Sequence, residues 1–140
     1  ADMLVFEMGN AKHQPEFREP AIRVIMMPKD TNAFGTIFGG VILSYIDQAG
    51  AVEARRHGTQ FLVTVAMREV VFHEPVHVGD LVSFYTRLVK IGRTSITISV
   101  EVFAQTSEGA GKRSKVTEAE VIYVNLDKNR RPSPIETARP

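Results

Sequence analysis

A chain of 140 residues with 44% hydrophobic and 24% charged side chains suits one soluble domain around one core, and it is neither disordered nor membrane-spanning in composition. Its 17 basic and 16 acidic residues leave a net charge of +1, which gives nucleic acid no broad electrostatic hold. The absence of cysteine excludes disulfides, thiol catalysis and cysteine-ligated zinc, and it fits a protein of the reducing cytoplasm.

The first 20 residues, ADMLVFEMGNAKHQPEFREP, carry no long apolar run behind a basic segment, so no signal peptide is read there. They form a polar arm that is ordered only where something docks it. AIRVIMM, residues 21–27, is the first strand candidate and ends at Pro28. PKDTNAFGTIFGG follows as a turn-forming stretch, with Asp30, Asn32 and Gly35 suited to tight bends and Gly39–Gly40 to close backbone approach. From residue 40 to about 56, VILSYIDQAGAVEARR predicts a helix, because Ile42, Tyr45, Ile46, Ala49 and Val52 recur at three- and four-residue spacing. Val41, Leu43 and Ala51 lie off that stripe, so its first turns are apolar nearly all round, as in a buried helix.

Four longer strands are predicted over 61–73, 81–90, 94–105 and 115–126. The third is the clearest, alternating Ile96, Ile98, Val100 and Val102 with Ser95, Thr97, Ser99 and Glu101. Ile91–Gly92 marks a short turn, and SEGAGKRS a longer one. Strands of about 33–43 Å and a helix of about 26 Å suit an antiparallel sheet curled around one helix. The remainder, DKNRRPSPIETARP over 127–140, is polar, Pro-rich and expected to be mobile. One domain over 21–126 results, flanked by the arm and the tail.

Residues 73–77 read HEPVH, which matches the zinc-protease string H-E-x-x-H. That motif needs His73 and His77 one turn apart on a helix. Pro75 lies between them, and both flanks are strand-like. The stretch is therefore read as the end of a strand and the bend after it, and no metal site is expected.

Asp47 is the unusual residue. Its neighbours three and four positions away are Leu43, Ser44, Gly50 and Ala51, so a carboxylate stands among small side chains that leave room for something to approach. Such an acid serves as a base or a nucleophile; the plain alternative is a structural hydrogen bond or a solvent-facing position. The unpaired N–H groups at Gly39–Gly40 can hold a developing oxyanion, or mark only a tight loop-to-helix junction. Asp47 lies about 10 Å further along the helix. The two can share one carbonyl only if they come from different subunits.

MPKDTNAFGTIFGGVILSYIDQAGAVEA, with Pro28, Asp30, Thr31–Asn32, Gly35, Ile37–Phe38–Gly39–Gly40 and Asp47, resembles the signature of the hotdog-fold acyl-CoA thioesterases, in the group of bacterial short-chain and brain-type cytosolic acyl-CoA hydrolases. FHEPVHVGD from Phe72 to Asp80 and the IGRTS turn from Ile91 to Ser95 add to the likeness, which spans about residues 21–126. The resemblance implies an α+β hotdog fold, in which one long central helix is wrapped by a five-stranded antiparallel sheet. It further implies a homodimer formed edge to edge, often built into a trimer of dimers (a hexamer). The activity implied is hydrolysis of an acyl-CoA thioester to a carboxylic acid and CoA without a cofactor. The family's catalytic pair, an aspartate and an asparagine from opposite protomers, falls on Asp47 and Asn32.

On this reading the thioester carbonyl docks against the N–H groups of Gly39 and Gly40. Asp47 activates water or attacks the carbonyl, and Asn32 orients the water or the thioester. Thiolate is a good leaving group, so neither a strong general acid nor a G-x-S-x-G elbow is needed. Lys90, Arg93, Thr94 and Ser95 are candidates for the CoA phosphates, or else form an ordinary solvated hairpin. Val70 and Phe72 are candidates for the pantetheine channel, or plain core. Two other activities compete: a hotdog hydratase or dehydratase, which would want a histidine that 40–56 lacks, and an acyl-CoA sensor without turnover, which would not need Asp47. Neither nucleic acid nor a membrane is an expected partner.

Overall fold

The computed structural model describes residues 18–108 and 111–136. Most of the polar arm and the last four residues lie outside that range. Among the described residues the domain has five strands and one α-helix: β1 (Ile22–Ile25), α1 (Gly39–Ala54), β2 (Phe61–Phe72), β3 (Leu81–Ile91), β4 (Ser95–Gln105) and β5 (Arg113–Leu126). The strands form one antiparallel sheet in the order β1-β3-β4-β5-β2, and α1 lies on its inner face. This is the α+β architecture expected, with element ends shifted by one or two residues and a first strand shortened to four residues.

Alternation drives the sheet. Ile96, Ile98, Val100 and Val102 of β4 are fully buried, and Ile98 and Val100 sit opposite Val121 and Ala119 of β5. Directly opposed residues share a face, so these rows make one apolar floor. Ile42, Ile46 and Ala49 of α1 close it from above, and Tyr45 packs on Phe84 with ring centroids 5.6 Å apart. The outer face is polar and tied by charge. Lys115 Nζ reaches Glu101 at 2.9 Å and Glu118 at 2.8 Å, and Arg113 stacks over Tyr85 and Phe103.

The helical stripe is correct at Ile42, Ile46 and Ala49 and fails at Val52, which is 45% exposed. The buried face continues instead through Gly50 and Ala54, because Tyr123 of β5 reaches up under Gly50 and donates its hydroxyl to Asp47 O at 2.6 Å. A methyl group at position 50 would fall well inside contact distance of that hydroxyl. Gly50→Ala should therefore cost about 1–3 kcal/mol, the range for overpacking a filled core, read as a lowered midpoint in urea. A midpoint equal to wild type would mean that the helix lifts off Tyr123 at no cost.

Two segments departed from simple strand logic. HEPVH is a bend after β2, as read from Pro75: His73 pairs with Glu118 at 2.8 Å, and the His77 N–H donates to the Asp80 carboxylate at 3.0 Å. Residues 127–136, expected to be mobile, are docked. Ser133 N donates to Asn125 O, Ile135 N to Arg93 O, and Glu136 N to Gly58 O, over distances of 2.8–3.2 Å. The cause is two local anchors that a composition reading passes over. Ile135 is buried, and the Asn125 amide, itself buried, donates to Ser133 O and accepts from Gln60 N. Gly58, at φ +78°, lies directly beneath the carbonyl of Glu136, where no side chain fits.

Candidate active site

The loop before the helix is pinned at both ends. Asp30 is buried and accepts from Met27 N at 3.0 Å, and that backbone donor holds its carboxyl below the usual range. Phe38 N donates to Asp30 O, and Ile37 N donates to Val76 O. Between these points Asn32 organises the turn. Its Oδ1 accepts from Phe34 N at 2.8 Å and Thr36 N at 3.1 Å, and its Nδ2 donates to Thr36 Oγ1 at 2.8 Å. A primary amide has two N–H donors, so one remains. The turn projects Phe34 outward at 91% exposure.

Phe38 precedes α1 without a side-chain cap. Val41 N and Ile42 N bond back to Phe38 O, and among the described residues nothing accepts from Gly39 N or Gly40 N. Two free donors at the positive end of the helix dipole are thus available to an oxyanion. A Cβ on Gly39 would lie 3.3 Å from the Phe72 ring, so the phenyl roofs this helix end closely. Below it opens a cavity of about 320 Å³ lined by Ile37, Gly39, Ile42, Phe72, Val76 and Thr117, with residues 73–75 at its rim.

Asp47 sits two turns further along, half-buried. Its Oδ1 accepts from Thr64 Oγ1 of β2 at 2.6 Å, and its main-chain carbonyl takes the Tyr123 hydroxyl. Among the described residues Oδ2 has no hydrogen-bond partner. Burial, and then the Asp47 charge beside it, push the Tyr123 hydroxyl well above its ordinary range, so it stays a fixed neutral donor. Sequence reasoning picked out Asp47 and missed both residues that hold it. Thr64 is legible only once β2 is placed beside the helix, and Tyr123 only once β5 is.

The remaining candidates divide between the two ends of the sheet. Val70 and Phe72 lie at the end that holds the helix N-terminus. Lys90, Arg93, Thr94 and Ser95 lie at the other, because Ser95 is in register with Val124, and Val124 with Val63 near the start of β2. One protomer therefore does not bring the two groups together. At that second end lies a larger cavity of about 620 Å³, lined by Ala51, Phe61, Leu62 and Leu126 and rimmed by Arg55, Lys128 and Arg130. The sequence shows basic residues at the helix end and in KNRRP but does not join them, because they lie on a helix end and a turn more than 70 residues apart.

A different cluster closes the helix C-terminus. Glu53 accepts from Thr86 Oγ1 and meets His57 Nε2, both at 2.8 Å. Its burial would raise the carboxyl pKa, but these hydrogen bonds and the charge of Arg56 together hold it below the usual range. This ties the last turn of α1 to β3 and leaves the carboxylate no free face toward either cavity.

Comparison with known proteins agrees with this fold. Residues 34–111 match the thioesterase superfamily. The acyl-CoA thioester hydrolase YciA of Salmonella typhimurium is 44% identical over 119 residues, which cover 84% of this chain and 90% of that protein. A hexameric hotdog-fold thioesterase of Campylobacter jejuni superposes with a TM-score of 0.80 at 45% identity, over 86% of this chain and 92% of its own. A hexameric thioesterase of Yersinia pestis gives 0.81 at 40% identity, over 85% and 97%. With the helix, the curled five-stranded sheet and this level of identity, the chain belongs to the thioesterase superfamily, among its hotdog-fold acyl-CoA thioester hydrolases.

Proposed function

We propose that the protein hydrolyses acyl-CoA thioesters at sites shared between two copies of the chain, with Asp47 as general base or nucleophile and Asn32 of the other copy as its partner. The observation that carries this reading is the Asp47 carboxylate, anchored through one oxygen by Thr64 and open at the other, beside a strand with a vacant edge. Among the described residues β2 bonds to β5 along one edge and to nothing along the other. It leaves Phe61, Val63, Val65, Val71 and Phe72 exposed by 42–58%. Long, apolar, unpaired edges invite a second strand.

A two-fold axis through the middle of β2, near Met67, pairs it with itself in antiparallel sense. Thr64 of one copy then lies opposite Val70 of the other. Asp47, held by Thr64, is carried toward the second copy's Phe72, Gly39 and cavity. The same operation brings the cationic end of one protomer, with Arg55, Lys128 and Arg130, next to the other's helix N-terminus. There these cations join Lys90, Arg93, Thr94 and Ser95 as candidates for the CoA phosphates. The hexameric state of the C. jejuni and Y. pestis relatives supports an oligomer of this kind.

In the reaction, the thioester carbonyl accepts from Gly39 N–H and Gly40 N–H, and these donors hold the negative charge that builds on it. As base, Asp47 takes a proton from water as the water oxygen bonds to the carbonyl carbon. As nucleophile, it forms that bond itself, and water then releases it. In either course the C–S bond breaks, CoA leaves as thiolate, and a proton is returned to it. The remaining Asn32 Nδ2–H orients the water or the thioester.

The test is release of free thiol from acyl-CoA esters of increasing chain length. Turnover is expected on short and medium chains, since a cavity of about 320 Å³ holds about ten non-hydrogen atoms at the ~30 Å³ each water occupies in the liquid. Binding of CoA without release of thiol from any ester would replace this reading with that of a sensor.

A further inference from the structure

We propose that Arg130 binds a phosphate carried by the adenosine ribose of CoA, so that the protein acts on CoA thioesters in preference to the same thioesters of pantetheine; the inference rests on the thioesterase reading above. Arg130 stands at φ +65°, in the left-handed region where a side chain crowds the following carbonyl and glycine is the default. Away from the strands, the other left-handed positions among the described residues are Gly35, Gly58, Gly79 and Gly111. An arginine held where glycine would relieve the backbone points to a task for its side chain. The turn that carries it is firmly built. Arg130 N donates to Asp127 O and Asp127 N to Arg131 O, each at 2.9 Å. Asp127 Oδ1 accepts from Asn129 N at 2.8 Å and Arg131 N at 3.1 Å, which commits that oxygen to the turn's own amides. Beyond the turn Leu126 bridges to Pro132, and Ile135 is buried. Arg130 therefore projects from a fixed base.

The cavity that Arg130 rims has the chemistry of a phosphorylated nucleoside. Its volume of about 620 Å³ holds about twenty non-hydrogen atoms at the ~30 Å³ each water occupies in the liquid, roughly the size of adenosine. Ala51, Leu62 and Leu126 give it apolar walls, and the exposed Phe61 offers a ring on which a base can stack. Its rim is cationic. Among the described residues the side chains of Arg55, Lys128 and Arg130 have no hydrogen-bond or ion-pair partner, whereas Arg56, Arg68 and Lys115 each meet a carboxylate. Pantetheine carries no charge for such a rim to meet. The ribose of CoA bears a 3′-phosphate and a 5′-diphosphate, and a guanidinium fork suits either. The two-fold pairing of β2 proposed above sets this rim next to the other copy's helix N-terminus, where the thioester docks.

The experiment measures kcat and KM for the butanoyl thioesters of CoA, 3′-dephospho-CoA, 4′-phosphopantetheine and pantetheine in wild type, Arg130→Gly and Arg130→Lys, with the thermal midpoint of each protein. Wild type should favour CoA over pantetheine by about tenfold or more in kcat/KM, the size of a charge-assisted bond. Arg130→Gly should hold its midpoint at or above wild type, because glycine relieves the turn, yet raise KM for the CoA ester by about tenfold without a matching loss on the pantetheine ester. Arg130→Lys, with the charge but not the fork, should recover part of that loss. The step in the series at which the preference is lost names the phosphate: removal of the 3′-phosphate, or removal of the whole adenosine monophosphate. An unmoved KM for the CoA ester in Arg130→Gly overturns the inference, and so does a loss of the same factor on all four esters, which would reduce Arg130 to a shaper of the turn. Calorimetric titration with CoA needs no turnover and keeps the two readings apart. Weaker CoA binding by Arg130→Gly in a protein that hydrolyses no ester would end the thioesterase reading and leave the phosphate site standing. Turnover with CoA binding unaffected would do the reverse.

Discussion

Asp47→Asn is expected to lower kcat on acyl-CoA by about 10²–10⁴-fold, the usual contribution of a positioned base, with the assembly and its stability unchanged. Asparagine keeps the volume of aspartate and an oxygen to accept from Thr64 at the 2.6 Å now observed. The Tyr123 bond goes to the main chain and is untouched by any change of side chain. The substitution thus removes the charge and the proton-accepting power and little else. Asp47→Ala removes the Thr64 bond as well and should lose at least as much. Rapid-mixing and steady-state kinetics on one good ester, with the oligomeric size checked by light scattering, decide the matter. A rate within tenfold of wild type would reduce Asp47 to a structural ligand of Thr64. The chemistry would then have to rest on another group near the Gly39 amides.

The contrast between Asp47 and its supports marks what a sequence reading can reach here. Periodicity located the helix, and β-branched and alternating runs the four long strands, while the acid stood out because most of its neighbours three and four positions away, Leu43, Ser44, Gly50 and Ala51, are small. Thr64 and Tyr123 each obey the strand pattern and gain their meaning only from the register that sets β5 between β4 and β2. Val52 was misplaced for a related reason. It continues the apolar spacing of α1, but Tyr123 rises under Gly50 and turns the buried face toward Ala54. The docked segment 127–136 is held by one isoleucine and one asparagine amide, a signal too sparse to outweigh a Pro-rich, polar composition.

The division of the candidates between the two ends of the sheet gives the two-fold pairing its chemical content. Within one protomer the Gly39 and Gly40 amides and the apolar cavity lie at the end where β2 finishes, and Arg55, Lys128 and Arg130 lie where it begins. An antiparallel self-pairing of β2 superimposes one kind of end on the other, twice per dimer. Parallel pairing, or pairing through β1, would keep the carboxylate away from the free amides.

Mixing two inactive variants tests that arrangement with a large and signed effect. Asp47→Ala and Asn32→Ala should each leave under about a hundredth of wild-type activity when assembled alone, since each removes its group from every site. In a dimer of one variant with the other, one site carries both lesions, and the second combines the intact Asn32 of the first copy with the intact Asp47 of the second. Random assembly from an equal mixture makes half the dimers mixed, each with one intact site of two, so roughly a quarter of wild-type activity should return. Co-expression with two affinity tags isolates the mixed species, where the yield should rise to about half. The Asn32 loop damage does not spoil the outcome, because the intact site takes its Asn32, with its bonds to Phe34 N and Thr36 N, from the copy whose loop is wild type. Sites built within single chains would give no recovery at any ratio. Full activity in Asn32→Ala alone would remove Asn32 from the reaction and leave the loop as its sole role.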